Sequence, residues 1–308
     1  MFDVDDVFYY TSFAEDHGPF NIGLVARFHD LIQRMLVDAR LKGHHLVLYS
    51  LEEPDRKSNG ACLAAVQALL ANKLEPYQLI CQLSDFELKP FRDAARGRSE
   101  WSLSIQDILD GAHRAQQLGL VDLNKIMPDE YEKYEQVEYG DLNTIGPFVP
   151  FASPRETAKS PRLFHPRTQS VLTYFERSDV RAVVRLNDPL YDSGIFTNKG
   201  IGHFEMEFPD GSNPPLDLVR KFIRYADEII KAGGKVAVHC KAGLGRSGVM
   251  IGAYLIYKYG FTGHEAIGLM RLIRPGMVVG PQQQWLVGNA GRFSRWVRLS
   301  WNITRLAC

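Results

Sequence analysis

Residues 238 to 248 read Val-His-Cys-Lys-Ala-Gly-Leu-Gly-Arg-Ser-Gly, so Cys240 and Arg246 bracket a five-residue loop that contains two glycines. Ahead of the cysteine, Lys235-Val-Ala-Val-His239 is a short apolar run suited to a buried strand. Behind it, Ser247 to Tyr259 is almost wholly apolar and suited to a buried helix. The chain is therefore expected to turn from strand into helix N-terminus at Cys240. In such a turn the amides of residues 241 to 246 can converge as a nest, and the helix dipole adds partial positive charge at the same point. That is a seat for a doubly charged anion, formed by Lys241, Ala242, Gly243, Leu244, Gly245 and Arg246. The planar fork of Arg246 matches two phosphate oxygens, and the same field favours Cys240 as thiolate. A thiolate below a bound phosphate ester can attack phosphorus in line, expel the alcohol and leave a phosphocysteine for water to hydrolyse. This chemistry calls for no metal and no cofactor. A purely structural cysteine would be an ordinary buried residue, but packing gives no reason for a nest and an arginine at this spacing.

The His-Cys-x5-Arg-Ser pattern resembles that of the cysteine-dependent protein tyrosine and dual-specificity phosphatases. With Arg274-Pro-Gly, Gly280-Pro-Gln-Gln-Gln284, Phe20-Asn-Ile22 and the stretch from Tyr131 to Asp141, the chain is similar over nearly its whole length to the mitotic-exit, cell-division-cycle dual-specificity phosphatases. One departure is Ser247, where that family usually has threonine; both supply a hydroxyl.

The resemblance implies roles for further residues. Asp210, in Phe208-Pro-Asp-Gly-Ser212 and thirty residues before Cys240, matches the general acid that a mobile loop carries to the leaving group. Ser247 is expected to hydrogen-bond the cysteine sulfur, and His239 to order the loop backbone. Gln282 and Gln283 match a loop that orients the hydrolytic water, a task suited to an amide that both donates and accepts. Glu132, Glu135 and Asp141 match an acidic groove that receives a basic residue beyond a phosphoserine-proline pair. The implied activity is hydrolysis of phosphoserine or phosphothreonine before proline, with some phosphotyrosine, opposing proline-directed cyclin-dependent kinases in nucleus and cytoplasm, with the nucleolus, centrosome or spindle as possible sites. The alternative is a phosphoinositide phosphatase, since lipid-directed relatives share Lys-Ala-Gly after the cysteine. Those usually carry a second lysine where this chain has Leu244, and Glu132 and Glu135 would repel a more acidic substrate. A phosphate-binding pseudoenzyme is the third class, opposed by the intact Cys240, Arg246 and Asp210.

Composition sets the frame. The chain is 45% hydrophobic and 23% charged, as in an ordinary globular protein. Acidic and basic residues balance at 36 each, giving no overall field for nucleic acid or an anionic membrane. No apolar run reaches the roughly 18 residues of a membrane span, and Met-Phe-Asp-Val-Asp-Asp lacks a signal peptide's basic start. A cytosolic or nuclear setting is expected. Cysteines 62, 81, 240 and 308 show neither a disulfide framework nor metal spacing, and His44-His45 reads as a solvated turn.

An internal repeat appears once the loop is known. His45-Leu-Val-Leu-Tyr49 reads as a strand, Ser50 stands in place of the cysteine, Arg56 follows six positions later, and Ala61 to Leu70 reads as a helix. Serine has no reason to ionise there, and Glu52, Glu53 and Asp55 would repel a dianion. Residues 1–124 are thus expected to be a phosphatase-like unit without activity, as the resemblance also implies. Residues 125–138 form an acidic linker helix with Pro128 in its first turn and Gly140 past its end. Residues 139–308 form the catalytic unit. Within it, residues 153 to 167 read as a proline-containing loop and Arg181 to Leu186 as a strand. Leu218 to Ile230 shows helical spacing, and a Thr262/Glu265 capping box opens a helix stopped at Arg274-Pro275-Gly276. A Trp-containing helical stretch covers 285 to 301. The expected class is α/β: two tandem units, each a central, mostly parallel sheet flanked by helices.

Overall fold

In the computed structural model, residues 1–154 and 166–306 are described. The N-terminal half contains helices α1 (Ile22–Val37), α2 (Pro54–Asn72) and α3 (Pro76–Leu83), a two-stranded antiparallel ribbon of β1 (Phe91–Arg92) and β2 (Ser102–Leu103), and helix α4 (Ile105–Gln117). The linker helix α5 (Pro128–Glu135) leads to the C-terminal half. There the order is β3 (Phe148–Ala152), α6 (Pro166–Arg177), β4 (Val180–Arg185), α7 (Gly194–Thr197), β5 (Gly202–Glu205), α8 (Leu216–Lys231), β6 (Lys235–Cys240), α9 (Gly245–Tyr259), α10 (Gly263–Ile273) and α11 (Pro281–Leu306).

Strands β3, β6, β4 and β5 form one sheet in that order, and every pairing is parallel. β6 lies between β3 and β4, which is why its residues from Val236 onward are all buried. Side chains alternate across the pleat. Val236, Val238 and Cys240 join the core that includes Phe222 of α8 and Val249 of α9. Ala237 points the other way, into a second core with Phe175 and Phe196, and His239 follows it, with its ring 4.8 Å from that of Phe151. This alternation places the sulfur on the α9 side of the sheet and the histidine on the opposite side.

The expected sheet of the N-terminal half is not a sheet of that kind. His45 to Tyr49 forms only an isolated parallel bridge, Phe2 to Leu48, secured by Phe2 N to Val47 O and Tyr49 N to Phe2 O, each 3.0 Å. A strand needs a partner along its length, and here a single residue of the N-terminal segment supplies it; Val47 and Tyr49 remain exposed. The core of this half is helical, built from α1, α2 and α4. The predicted helix at 61–70 is longer, since Pro54 suits the first turn and draws Arg56 into it.

The linker helix is shorter than the expected 125–138. It is flanked by 3-10 turns at Leu123–Lys125 and Val137–Tyr139, and the second ends on Gly140 at φ +119°. The Thr262/Glu265 capping box is present, and α11 contains the Trp-bearing stretch. Of the loop expected at 153–167, residues 155–165 lie outside the described residues, and Pro166 opens α6.

The two halves share one core. α4 lies against α10 so closely that a Cβ on Gly111 would sit 2.3 Å from Glu265 O, and one on Gly268 would sit 2.4 Å from Asp107 O. Arg114 Nε reaches Glu265 at 2.9 Å across the same contact, and Tyr131 of α5 donates to Ile273 O at 2.8 Å. Among the described residues no helix is long and apolar enough to cross a membrane.

Candidate active site

The predicted turn stands at the junction of β6 and α9. Cys240 ends the strand, paired with Ala152 and 4% exposed, and Arg246 is the second residue of the helix. Gly243 has φ +70°, and a Cβ there would lie 2.2 Å from Phe151 O, so both conformation and space demand glycine. A Cβ on Gly245 would meet Gln282 Oε1 at 2.6 Å.

Arg274 holds the loop from behind. Its Nη2 donates to Ala242 O at 2.9 Å and its Nε to Gly243 O at 3.1 Å, while Nη1 donates to Asn143 Oδ1 at 2.7 Å. The carbonyl and the following amide of a trans peptide point in opposite directions. Turning these two carbonyls to Arg274 therefore turns the amides of Gly243 and Leu244 away from it, as an anion seat requires.

Arg246 is buried. Its Nη1 donates to Phe208 O at 2.9 Å and Leu186 O at 3.2 Å, which fixes the fork against the loop that carries Asp210. Nη2 lies 3.3 Å from Asp210 Oδ1. Asp210 is in a turn closed by Ser212 N to Pro209 O, 3.2 Å, with Gly211 at φ +71°. Gln282 Nε2 donates to Ser212 O at 2.8 Å, joining the glutamine loop to the loop of Asp210. Together Asp210, Lys241 and Arg246, with Asn187, Asp188 and Phe208, line a cleft of about 570 Å³.

The hydroxyl of Ser247 is fully buried without a hydrogen-bond partner among the described residues. His239 is buried too. Its Nδ1 lies 3.2 Å from Cys240 O and its Nε2 2.7 Å from the Tyr191 hydroxyl. Burial pushes its imidazole down to about 3, so it is neutral and suited to ordering the loop rather than carrying protons.

The two glutamines separate. Gln283 accepts from Arg271 Nη2 and donates to Gly280 O at 3.1 Å, whereas Gln282 reaches the loop of Asp210. The three acidic residues are also divided. Glu132 is paired through both oxygens with Arg27 of α1, because the helix face expected to be open lies against α1. Asp141 pairs with Arg274 at 2.9 Å, behind the loop. Glu135 accepts from Asn21 Nδ2 at 3.2 Å and lies 3.3 Å from the Tyr131 hydroxyl, and burial raises its carboxyl above the usual range.

The sequence shows Arg274 as a helix stop and as part of the Arg-Pro-Gly motif, but not its hold on the loop. A signal existed: an arginine at a helix end has a guanidinium that must find acceptors when buried. Tyr191 and Asn143 carried no such mark. In the N-terminal half, Arg56 binds Glu53 Oε2 at 2.9 Å and Asp5 O at 3.2 Å. Two nitrogens of Arg56 are thus turned to the chain's own carboxylate and carbonyl.

A parallel sheet whose buried strand runs through cysteine into a glycine-containing loop, with arginine six residues on at a helix start, defines a cysteine-dependent phosphatase domain. Residues 1–115 match the family described as dual specificity protein phosphatase, N-terminal half, and residues 158–260 match that described as polymorphic toxin system, DSP-PTPase phosphatase. The tyrosine-protein phosphatase CDC14 of Saccharomyces cerevisiae is 43% identical over 306 residues, covering 96% of this chain and 55% of its own. That of Candida albicans is 45% identical over 298 residues with the same coverage. The human dual specificity protein phosphatase CDC14A is 35% identical over 291 residues, covering 92% of this chain and 48% of its own. The chain belongs to the CDC14 family and spans about half the length of the curated relatives it matches.

Proposed function

We propose that this chain is a protein phosphatase that works through a phosphocysteine intermediate, using protein groups alone. The observation that carries the reading is the convergence of Cys240 at the end of β6, Arg246 at the start of α9, and Asp210 at 3.3 Å from Arg246. The phosphate dianion sits on the loop amides and the Arg246 fork. The Cys240 sulfur attacks phosphorus as the P–O bond breaks, and Asp210 gives its proton to the departing oxygen. A serine alkoxide leaves poorly, so this proton matters more for phosphoserine than for an aryl ester. Gln282 then orients water against phosphocysteine, Asp210 takes the water's proton, and Ser247 donates to the released sulfur.

The preferred substrates are phosphoserine or phosphothreonine followed by proline and, further on, a basic residue, which places the chain opposite proline-directed cyclin-dependent kinases in nucleus and cytoplasm. Resemblance to the family supports this specificity. Of the acidic trio, Glu135 supports it best, since Arg27 and Arg274 already neutralise Glu132 and Asp141. The test is turnover of phosphoserine-proline, phosphothreonine-proline and phosphotyrosine peptides beside a soluble phosphoinositide, with and without chelator. Peptide turnover insensitive to chelator and lost in Cys240→Ser, with phosphopeptide binding retained, is expected. Preferential turnover of the phosphoinositide would establish the lipid reading instead, and robust turnover by Cys240→Ser would remove the nucleophile assignment.

A further inference from the structure

Behind the loop, a chain of hydrogen bonds runs from the backbone of Cys240 to the protein surface. His239 Nδ1 lies 3.2 Å from Cys240 O, and its Nε2 lies 2.7 Å from the Tyr191 hydroxyl. The same hydroxyl lies 2.8 Å from Nε2 of His203 on β5. Nδ1 of His203 lies 3.2 Å from Glu205, whose carboxylate also takes two bonds from Arg185, at 2.6 and 2.8 Å. Glu205 is half-exposed while His203 is buried, so the chain begins in water and ends at the nucleophile's own carbonyl.

Donor and acceptor rules fix most of the hydrogens. A carbonyl only accepts, so His239 carries its hydrogen on Nδ1. Its Nε2 is then a bare acceptor, and the single hydrogen of the Tyr191 hydroxyl belongs there. Tyr191 must in turn accept from Nε2–H of His203. The Glu205 carboxylate asks for a hydrogen on Nδ1 of the same ring. Only the imidazolium form of His203 satisfies both neighbours. A neutral His203 that keeps its hydrogen toward Glu205 presents a bare Nε2 to Tyr191, and then competes with His239 for one hydrogen.

We infer that His203 is a positioning residue for the Cys240 loop: its protonation decides whether Tyr191 donates to His239, and through His239 how firmly the Cys240 carbonyl is held. The inference rests on the phosphatase reading of that loop but concerns His203 and Tyr191, which that reading leaves idle. The charged and titratable groups facing His203 are Glu205 on its own strand, Arg185 on β4, Tyr191 in the loop after β4 and, through Tyr191, His239 on β6. Glu205 favours the imidazolium; burial, the largest effect, and Arg185 oppose it, so the ring titrates below its ordinary value of 6.5. The firm arrangement therefore exists on the acid side and relaxes as pH rises through that point.

The experiment compares full chains of wild type, His203→Gln and Tyr191→Phe, measuring kcat and KM for an aryl phosphate across pH. Nitrogen NMR of the histidines is recorded beside the kinetics. Wild type is expected to show a step in kcat on the acid side of neutrality, with KM unmoved. His203→Gln, which donates to Tyr191 but does not titrate, should lose the step. Tyr191→Phe should lose the step and lower kcat about tenfold, the scale of one buried hydrogen bond. NMR should report His239 hydrogenated on Nδ1 and its Nε2 as an acceptor in wild type. A pH profile in His203→Gln that overlays wild type, or a hydrogen on Nε2 of His239, would overturn the inference. If Tyr191→Phe does not fold, those two readouts decide alone. Wild type that turns over no phosphate ester would count against the phosphatase reading itself, and the NMR result would still judge the hydrogen-bond order.

Discussion

Asp210 meets Arg246 across the cleft at 3.3 Å, with the arginine side chain 5% exposed and the aspartate 68%. A contact whose carboxylate stands in water contributes about 0–1 kcal/mol. A phosphate dianion, with twice the charge and more acceptor oxygens, can take the guanidinium from it. In the proposed mechanism, binding of substrate releases the carboxyl for the leaving group.

Replacing this carboxyl tests the exchange. Asp210→Asn is predicted to lower kcat/KM for phosphoserine peptides about 10²–10⁴-fold, the usual range for a general acid. An activated aryl phosphate should lose far less. Inorganic phosphate should inhibit the variant at least as well as wild type, because its competitor at Arg246 is weakened. Equal losses on both substrates would argue against a leaving-group acid.

Arg274 is predicted to be irreplaceable by lysine. Arg274→Lys keeps the charge but cannot span Ala242 O, Gly243 O and Asn143 together. With the loop amides slack, kcat/KM should drop about 10–100-fold, as for an ångström-scale misplacement of a catalytic group. Phosphate inhibition should weaken in parallel. Wild-type inhibition by phosphate in this variant would show that the loop orders itself.

The close approach of α4 and α10 is predicted to be intolerant of a single methyl group. Gly111→Ala must push against Glu265 O and should cost about 1–3 kcal/mol of stability. Gly288→Ala on α11, where a Cβ meets nothing within 4 Å, is the control and should be neutral or slightly stabilising. Denaturant midpoints measure both. Equal midpoints for the two variants would mean that the helices part without cost.

Glu135 gives a pH signature. Its carboxyl is raised above the ordinary 4.5, chiefly by burial, so the folded state holds that proton more tightly than the unfolded chain. The associated stability is fully present below 4.5 and is lost as pH rises through the folded value. Glu135→Gln is therefore predicted to raise the unfolding temperature near neutral pH, with the gain fading toward the acid side. The same variant should lose preference for peptides with a basic residue after the proline. A gain of equal size at acid and neutral pH would exclude a raised carboxyl.

The sequence made the β6 to α9 turn legible because each level agreed there: an apolar strand, glycines where a Cβ is forbidden, and a helix behind. The capping box of α10 was legible for the same reason, as Thr262 and Glu265 interact within one turn. The strand expected at His45 to Tyr49 is a single bridge because a short apolar run says nothing about whether a partner strand runs alongside. Glu132 was read as open because spacing on α5 tells which residues share a face, not what that face meets; the answer lies 105 residues away, at Arg27. Arg274 and Tyr191 escaped for a related reason. Their acceptors are backbone carbonyls and ring nitrogens brought near by the sheet, and no spacing rule reaches them.

The amide of Gly280, at the head of the glutamine loop, donates to the buried Asp93 of the N-terminal half at 2.6 Å. The N-terminal half thereby holds the head of the glutamine loop of the other half. A change at Asp93 therefore reaches the segment that bears Gln282 through one backbone amide, from a residue that does not line the cleft.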